Sequence, residues 1–172
     1  MKKLFFIFLL IPALVGNSFA QRFAYVDTDY ILSNIPAYES AQEQLDQISV
    51  EWQKEIEAIF AEIDKMYKEF QAEKALLTDE MRIKREDDII RKEREAKELQ
   101  RKRFGQDGDL FKKRQELVKP LQDDVFNAVK DIATEGNFAM IFDIAGGGLV
   151  VLFSDPKYDK SDEVLQKLGF KN

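Results

Sequence analysis

The sequence predicts an α+β protein in which a long antiparallel α-helical coiled-coil hairpin is inserted into a small β-rich oligomerisation head. Three patterns predict this fold class: strand-like apolar runs near both ends of the chain, a helical apolar period between them, and a helix-start signal midway along that period. We expect one domain over residues 21–172, with the head at about 21–42 and 112–172 and the helical arm at about 43–111.

The composition excludes most kinds of catalytic and metal site. The chain has 172 residues, of which 32 are acidic and 26 basic, and it contains neither cysteine nor histidine. It therefore lacks thiol chemistry, disulfides, the common general base and the common metal ligand. Carboxylate pairs such as Asp87–Asp88 and Asp123–Asp124 are helix neighbours that point in different directions. We expect a protein that is not an enzyme and that needs no cofactor.

The first 20 residues have the pattern of a signal peptide. Met1–Lys3 is basic, Leu4–Val15 is an apolar run, and Ser18 and Ala20 are small residues placed for cleavage after Ala20. The apolar run is shorter than the about 20 residues that span a membrane, although an uncleaved anchor is the alternative interpretation. Losing two lysines changes the net charge from −6 to −8. We expect a mature chain outside the cytoplasm that does not span the membrane.

A strand and a long helix follow this segment. Arg22–Asp27 is aromatic and β-branched, which predicts a strand, and a short helical piece then leads to Pro36. From about Tyr38 the period is helical, with no glycine or proline between Ala37 and Leu77. Apolar residues in this segment recur at the spacing of a coiled-coil seam. They are Leu45, Trp52, Ile56, Ile59, Ile63, Met66 and Phe70.

A second long helix begins at Thr78, whose hydroxyl is a typical helix cap. Asp79 and Glu80 follow, and acids suit the positive end of the helix dipole. We expect the chain to reverse near Leu77, which makes an antiparallel helical hairpin. In the returning helix an apolar or long residue recurs at every seventh position. These residues are Ile83, Ile90, Lys97, Phe104, Phe111, Val118, Val125 and Ile132.

Gly105, Gly108 and Pro120 interrupt the returning helix. Glycine costs about 1 kcal/mol relative to alanine in a helix, and proline lacks a donor N–H. The two glycines therefore mark a hinge, a break or a loop, and Pro120 marks a second kink or the start of a new helix. The sevenfold spacing continues past all three residues, which favours kinks over long loops.

The C-terminal part predicts two more strands and a short helix. Gly136 caps the preceding helix, and the apolar runs Phe138–Ile144 and Leu149–Phe153 are strand-like. Gly146–Gly148 separates them as a hairpin turn, because a phosphate loop would need a following helix and usually a lysine. Ser161–Gly169 forms the last helix.

The small predicted head favours a homo-oligomer. Three strands make a small independent core, and free sheet edges invite pairing with another chain. Sequence pattern alone does not fix the number of copies. The candidate oligomerisation residues are Phe23, Tyr25, Phe138, Ile141, Leu149 and Val151.

The order of these elements resembles the Skp/OmpH family of periplasmic chaperones. The residues that carry the resemblance are Ala24–Asp27, Ile31, Leu32, Pro36, Tyr38, Phe104-Gly105, Gly108–Phe111, Pro120, Ile141–Asp143, Asp155-Pro156 and the Ser161–Gly169 pattern. The resemblance implies a homotrimer whose β-rich body joins three subunits. It also implies that the helical arms enclose a cavity in which unfolded outer-membrane proteins are held without ATP.

The charge of this chain departs from the resemblance, since the best-known family members are basic. Positively charged contacts with unfolded client proteins are then restricted to patches such as Arg82–Arg85 and Arg101–Arg103. The alternative interpretation of each patch is a solvated helix face. For each apolar residue proposed to contact clients, the alternative is packing within the hairpin. The candidate client-contact residues are Phe60, Tyr67, Ile83, Ile89, Phe104, Arg82, Lys84 and Arg85.

Two functions compete at this point. The first is an ATP-independent periplasmic holdase that binds unfolded outer-membrane proteins and prevents their aggregation. The second is an envelope coiled-coil adaptor or structural protein with one defined partner, whose helix would pair with the apolar stripe. We expect no nucleic-acid partner, because acids and bases alternate along the arm and neither sign dominates.

Overall fold

The computed structural model describes residues 21–146 and 151–170, and this part of the chain is α+β as predicted. The signal-peptide prediction, Gly147, Gly148 and Leu149 lie outside the described residues. The elements in chain order are β1 (Arg22–Val26), α1 (Thr28–Ser33), α2 (Pro36–Glu73), α3 (Asp79–Phe104), α4 (Asp109–Leu117), α5 (Lys119–Glu135), β2 (Phe138–Asp143), a short 3₁₀ helix (Pro156–Tyr158) and α6 (Ser161–Lys167). The chain divides into two compact units, one of residues 32–126 and one that contains the sheet.

In the sheet-containing unit, β1 and β2 pair in parallel. A parallel pair needs a long crossover, which the intervening helices supply. The backbone N–H of Lys160 donates to the carbonyl of Tyr25 at 2.9 Å, so the segment before α6 lies along the other edge of β1. Ser161 is buried; its hydroxyl accepts from the N–H of Asp27 at 2.9 Å and donates to Asp159 at 2.6 Å. These bonds join β1 to the start of α6.

The prediction of a strand at Leu149–Phe153 is wrong for residues 151–153, which are the part of this segment that the structure describes. Val151, Leu152 and Phe153 form no strand, and Leu152 and Phe153 are 95% and 84% exposed. A strand needs a hydrogen-bonding neighbour as well as an apolar sequence. Within the described ranges the sheet therefore has two strands, not three.

In the other unit, α2 and α3 form the predicted antiparallel pair. The Thr78 hydroxyl accepts from the N–H of Met81, which confirms the predicted start of the second helix. The α2 seam is also confirmed, because Leu45, Ile56, Ile63 and Phe70 are buried.

The sevenfold row predicted for the returning helix is only partly right. The buried residues of α3 are Ile89 and Ala96, whereas Ile83 and Ile90 are 59% and 50% exposed. One residue turns an α-helix by about 100°, so the side of α3 that packs lies one position before the predicted row. Ala96 has no exposed surface and packs with Ile89 in one cluster. Further along, Val118, Val125 and Ile132 are buried, so the row is correct from Val118 onward.

The two glycines produce a break rather than a kink. The helix α3 ends at Phe104, and α4 begins at Asp109. A Cβ on Gly105 would clash with the carbonyl oxygen of Arg101, so this position favours glycine. Because the helical phase restarts after the break, the sevenfold row does not continue along one helix face from α3 to α5.

Candidate interaction surfaces

One face of the β1–β2 sheet forms an apolar groove of about 920 Å³. We call this the sheet groove. The rings of Phe23 and Phe142 stack across the two strands, with 6.3 Å between their centroids. Phe23 is 43% exposed although it lies in a strand. The other apolar residues that line the groove are Ala24, Tyr25, Phe138, Ile144, Val151, Phe153 and Tyr158.

The sheet groove brings together four of the six predicted oligomerisation residues. Phe23, Tyr25, Phe138 and Val151 line it, Ile141 does not, and Leu149 lies outside the described residues. Side chains alternate along a strand, so Phe138 and Phe142 share a face that Ile141 does not. This alternation is the sequence signal that could have identified Phe142.

Charged residues lie at the edge of the groove. The Arg22 guanidinium lies 4.6 Å from the centroid of the Phe138 ring and donates to the carbonyl of Gly136 at 2.7 Å. Lys157 and Asp155 form an ion pair at 2.7 Å, and their hydrogen bond lowers the pKa of Asp155 and raises the pKa of Lys157. An apolar groove with a charged, polar rim is suited to contact with another polypeptide.

The exposed apolar residues of the hairpin agree only in part with the predicted client contacts. Phe60, Tyr67 and Ile83 are exposed, at 39%, 42% and 59%. Ile89 is 2% exposed, so the expectation that it faces solvent was wrong, because its side chain completes the α2–α3 core. Phe104 is half-buried, and its ring meets Trp52 edge-on at a centroid distance of 6.3 Å.

Ion pairs within the hairpin engage much of the two predicted basic patches. Arg82 pairs with Asp79, and Arg85 lies 3.6 Å from Glu73. Lys84 is exposed and forms no ion pair within the described structure. The first patch therefore contributes fewer free cations than its sequence indicates.

Arg103 of the second patch is also engaged. Its guanidinium lies 4.5 Å from the Trp52 ring centroid, 2.9 Å from Asp109 and 3.4 Å from Glu55. It therefore joins α2, α3 and α4 and is unsuited to binding a partner.

Three exposed cations of α3 are free in the described part of the chain: Arg94 and Lys97, which are not among the predicted contact residues, and Arg101, which belongs to the second predicted patch. Arg94, Lys97 and Arg101 are exposed, and no carboxylate in the described ranges pairs with them. Lys97 and Arg101 line a shallow depression of about 390 Å³ together with Gln100, Phe104 and Gly105. Their spacing of three and four residues was a sequence signal, because residues so spaced share one helix face.

Tyr67 of α2 lies beside the returning helix. Glu93 accepts a hydrogen bond from its hydroxyl and repels its ionised form, which raises the pKa of Tyr67 above its usual value of 10.0. This interaction places Glu93 at the side of α3 that adjoins α2.

Neither metal binding nor membrane crossing is indicated by the part of the chain that the structure describes. No group of three or more potential acidic ligands is close enough there to hold a metal ion. Among the same residues, every helix is too short or too polar to cross a bilayer.

Comparison with known proteins identifies a matching family and a solved structure with a similar fold, and each match covers most of the chain. The family model for outer membrane proteins of the OmpH-like type matches residues 22–168. A crystal structure from Caulobacter crescentus CB15, of a protein proposed to be an OmpH-like outer membrane chaperone, has a TM-score of 0.66 and 10% identity. The match covers 86% of this chain and 83% of that chain, and it shows a shared fold. A search of curated proteins finds no match.

Proposed function

Because the chain belongs to the outer membrane protein (OmpH-like) family, we propose that it is an ATP-independent holdase chaperone of the periplasm. In this proposal it binds unfolded outer-membrane proteins between helical arms and prevents their aggregation. The observation that carries the proposal is the family match over residues 22–168, which spans nearly all of the expected mature chain.

The hairpin has the properties that a holdase needs. The helix α2 has 38 residues, so it extends roughly 55 Å at about 1.5 Å per residue. Exposed apolar residues are spread along the hairpin and are not gathered into one deep pocket. A holdase acts by mass action, because it binds the unfolded chain and not the folded one. Many weak contacts along a long surface suit such a client.

The same proposal includes a homotrimer joined through the sheet groove. Apolar grooves on a small sheet are stabilised when another subunit covers them. The exposed rings of Phe23 and Phe153 support this assignment. We further propose that the protein reaches the periplasm through cleavage after Ala20, that the head comprises about 21–42 and 112–172, and that the arm comprises about 43–111.

Light scattering tests the proposed function. A urea-unfolded outer-membrane β-barrel protein is diluted with and without the mature chain, in the absence of ATP, after sedimentation has fixed the oligomeric mass. We expect near-stoichiometric amounts of a trimer to suppress the scattering. A correctly assembled protein with no effect on scattering would contradict the holdase. Recovery of one defined partner in a pull-down would then favour the adaptor.

A further inference from the structure

Two sevenfold rows run side by side along α3. One of them is buried against α2, and the other is largely exposed apart from Phe104, whose ring meets Trp52 of α2 edge-on. The inner row contains Ile89 and Ala96, which are buried in the cluster with Ile63 and Phe70. The other row is displaced by one residue. We call it the outer row, and it consists of Ile83, Ile90, Lys97 and Phe104.

The outer row keeps its apolar surface exposed. Ile83 and Ile90 are 59% and 50% exposed. Single exposed residues of this size are ordinary, but here two of them lie two turns apart on a helix face that also carries a depression. That depression adjoins Phe104, at the far end of the row.

Free positive charge lies along the same face. Five of the ten basic residues of α3 form ion pairs, namely Arg82, Arg85, Arg91, Lys92 and Arg103. Arg94 and Arg101 are unpaired, as is Lys97, and they follow Ile90 at the spacing of one helix face. Glu93, on the side of α3 that adjoins α2, interacts with Tyr67. The outer row is thus an apolar stripe with three available cations.

The charge of α3 differs from that of α2. The helix α3 has ten basic and eight acidic residues, whereas α2 has three basic and ten acidic residues. In a chain with a net charge of −6, this helix therefore carries a small net positive charge of 10 − 8 = +2.

We propose that the outer row, together with Arg94 and Arg101, binds an extended segment of unfolded polypeptide that carries apolar and acidic side chains. This inference rests on the proposed function and names the segment of client that the arm selects. An apolar client side chain enters the depression beside Phe104, and neighbouring carboxylates meet Lys97 and Arg101.

A helix from a second copy is the less suitable occupant. A stable coiled coil needs about three to four heptads of apolar seam positions. The outer row offers Ile83 and Ile90 before Lys97 interrupts it. A short apolar stripe with cations suits a weak, salt-sensitive contact with an unfolded chain.

Peptide binding tests the cationic part of the proposal. The probes are a fluorescein-labelled, unstructured peptide that alternates glutamate with leucine and phenylalanine, and a counterpart with lysine in place of glutamate. The test variant of the mature chain is R94Q/K97Q/R101Q. Its control is K54Q/K112Q/K130Q, which removes the same charge from exposed lysines that also form no ion pair in the described structure and lie outside the outer row and the two predicted basic patches.

We expect the parent chain to prefer the glutamate peptide in fluorescence anisotropy titrations. The test variant should lose on the order of ten-fold in affinity, because three exposed ion pairs are removed. The control should stay within about two-fold of the parent. Equal weakening in both variants would mean that only net charge matters, and it would overturn the assignment.

The apolar part is tested by Ile90→Gln. Its control is Val50→Gln, since Val50 of α2 is 52% exposed and lies away from the outer row. We expect Ile90→Gln to weaken both peptides and Val50→Gln to change neither. Unchanged binding by Ile90→Gln would remove the apolar stripe from the site.

Two further measurements separate this inference from the proposed function. If the parent and R94Q/K97Q/R101Q suppress aggregation equally and bind the glutamate peptide equally, the holdase stands and the outer row is not its site. If the parent does not suppress aggregation but binds the peptide through the outer row, the inference stands and the proposed function fails. A lower sedimentation mass of the variant with unchanged peptide affinity would assign the row to self-association and overturn the inference.

Discussion

Arg103 connects the two helices of the hairpin to α4 through one planar side chain. Its guanidinium stacks on Trp52 of α2 and forms ion pairs with Glu55 and Asp109, while 24% of the side chain is exposed. An arginine can stack and form a fork of hydrogen bonds at the same time, and lysine cannot. This residue therefore fixes α4 relative to the α2–α3 pair across the break at Gly105.

We expect Arg103→Lys to lower the free energy of unfolding by about 1–2 kcal/mol, because the stacking contact and one ion pair are lost. Urea unfolding measured by tryptophan fluorescence is the direct assay, since Trp52 is the only tryptophan. The control is Arg101→Lys, which changes an exposed arginine that forms no ion pair within the described residues. Equal effects of the two substitutions would contradict the role of Arg103.

Lys167 at the end of α6 makes the stability of the folded protein depend on pH in the alkaline range. Its ammonium donates to Glu135 at 2.7 Å and lies 3.7 Å from Asp131, and the hydrogen bond to Glu135 raises the pKa of Lys167 above 10.5. A raised pKa means that the stabilisation is complete below 10.5 and is lost as pH rises through the raised value. When the pH is raised from neutral to above 10.5, we expect the melting temperature of Lys167→Met to fall by less than that of the parent chain.

The control for this measurement is Lys130→Met. Lys130 is exposed on α5 and forms no ion pair in the part of the chain that the structure describes. If the melting temperatures of both variants fall equally at alkaline pH, titration of the other lysines and tyrosines causes the loss of stability, and Lys167 has no special role.

At the scale of elements, α2 and α3 pack through a seam whose position on α3 depends on one residue of register. Adjacent isoleucines occupy the two possible rows, and the structure buries Ile89 and exposes Ile90. The small side chain of Ala96 continues the inner row one heptad later, where Lys97 would continue the outer row. Burying Ala96 permits close helix approach, whereas burying Lys97 would desolvate a charge.

The adjacent isoleucines provide a matched test of this register. We expect Ile89→Ala to cost about 2–4 kcal/mol of unfolding free energy, because it leaves a cavity in the core. Ile90→Ala should cost less than about 1 kcal/mol, because half of its side chain is already in water. Urea unfolding of both variants is the measurement, and a reversed order of effects would place the outer row in the seam.

At the scale of the whole molecule, the exposed sheet groove is the strongest indication of assembly. Two strands form a small sheet, and Phe23 and Phe142 keep large parts of their rings in water. Such a surface is stabilised when a second subunit covers it. The proposed trimer therefore depends on the residues of the groove, and the proposed client contact depends on the hairpin.

We expect Phe142→Glu to lower the mass measured by sedimentation equilibrium, because a charge in the groove opposes apolar contact between subunits. The matched control is Phe126→Glu on α5, where the ring is 67% exposed and lies outside the groove. Retention of the parent mass by Phe142→Glu, with its circular dichroism spectrum unchanged, would remove the groove from the interface.

The sequence by itself determined the fold class, the α2 seam and the helix start at Thr78. A cap is a contact within one turn, and an apolar period on a long helix acts through residues three to seven apart. The tertiary structure alone decided which row of α3 is buried, which arginines are engaged by partners, and that residues 151–153 form no strand. These features depend on the shape and charge of distant segments: apolar residues occupy both rows of α3, and only packing against Ile63 and Phe70 distinguishes them.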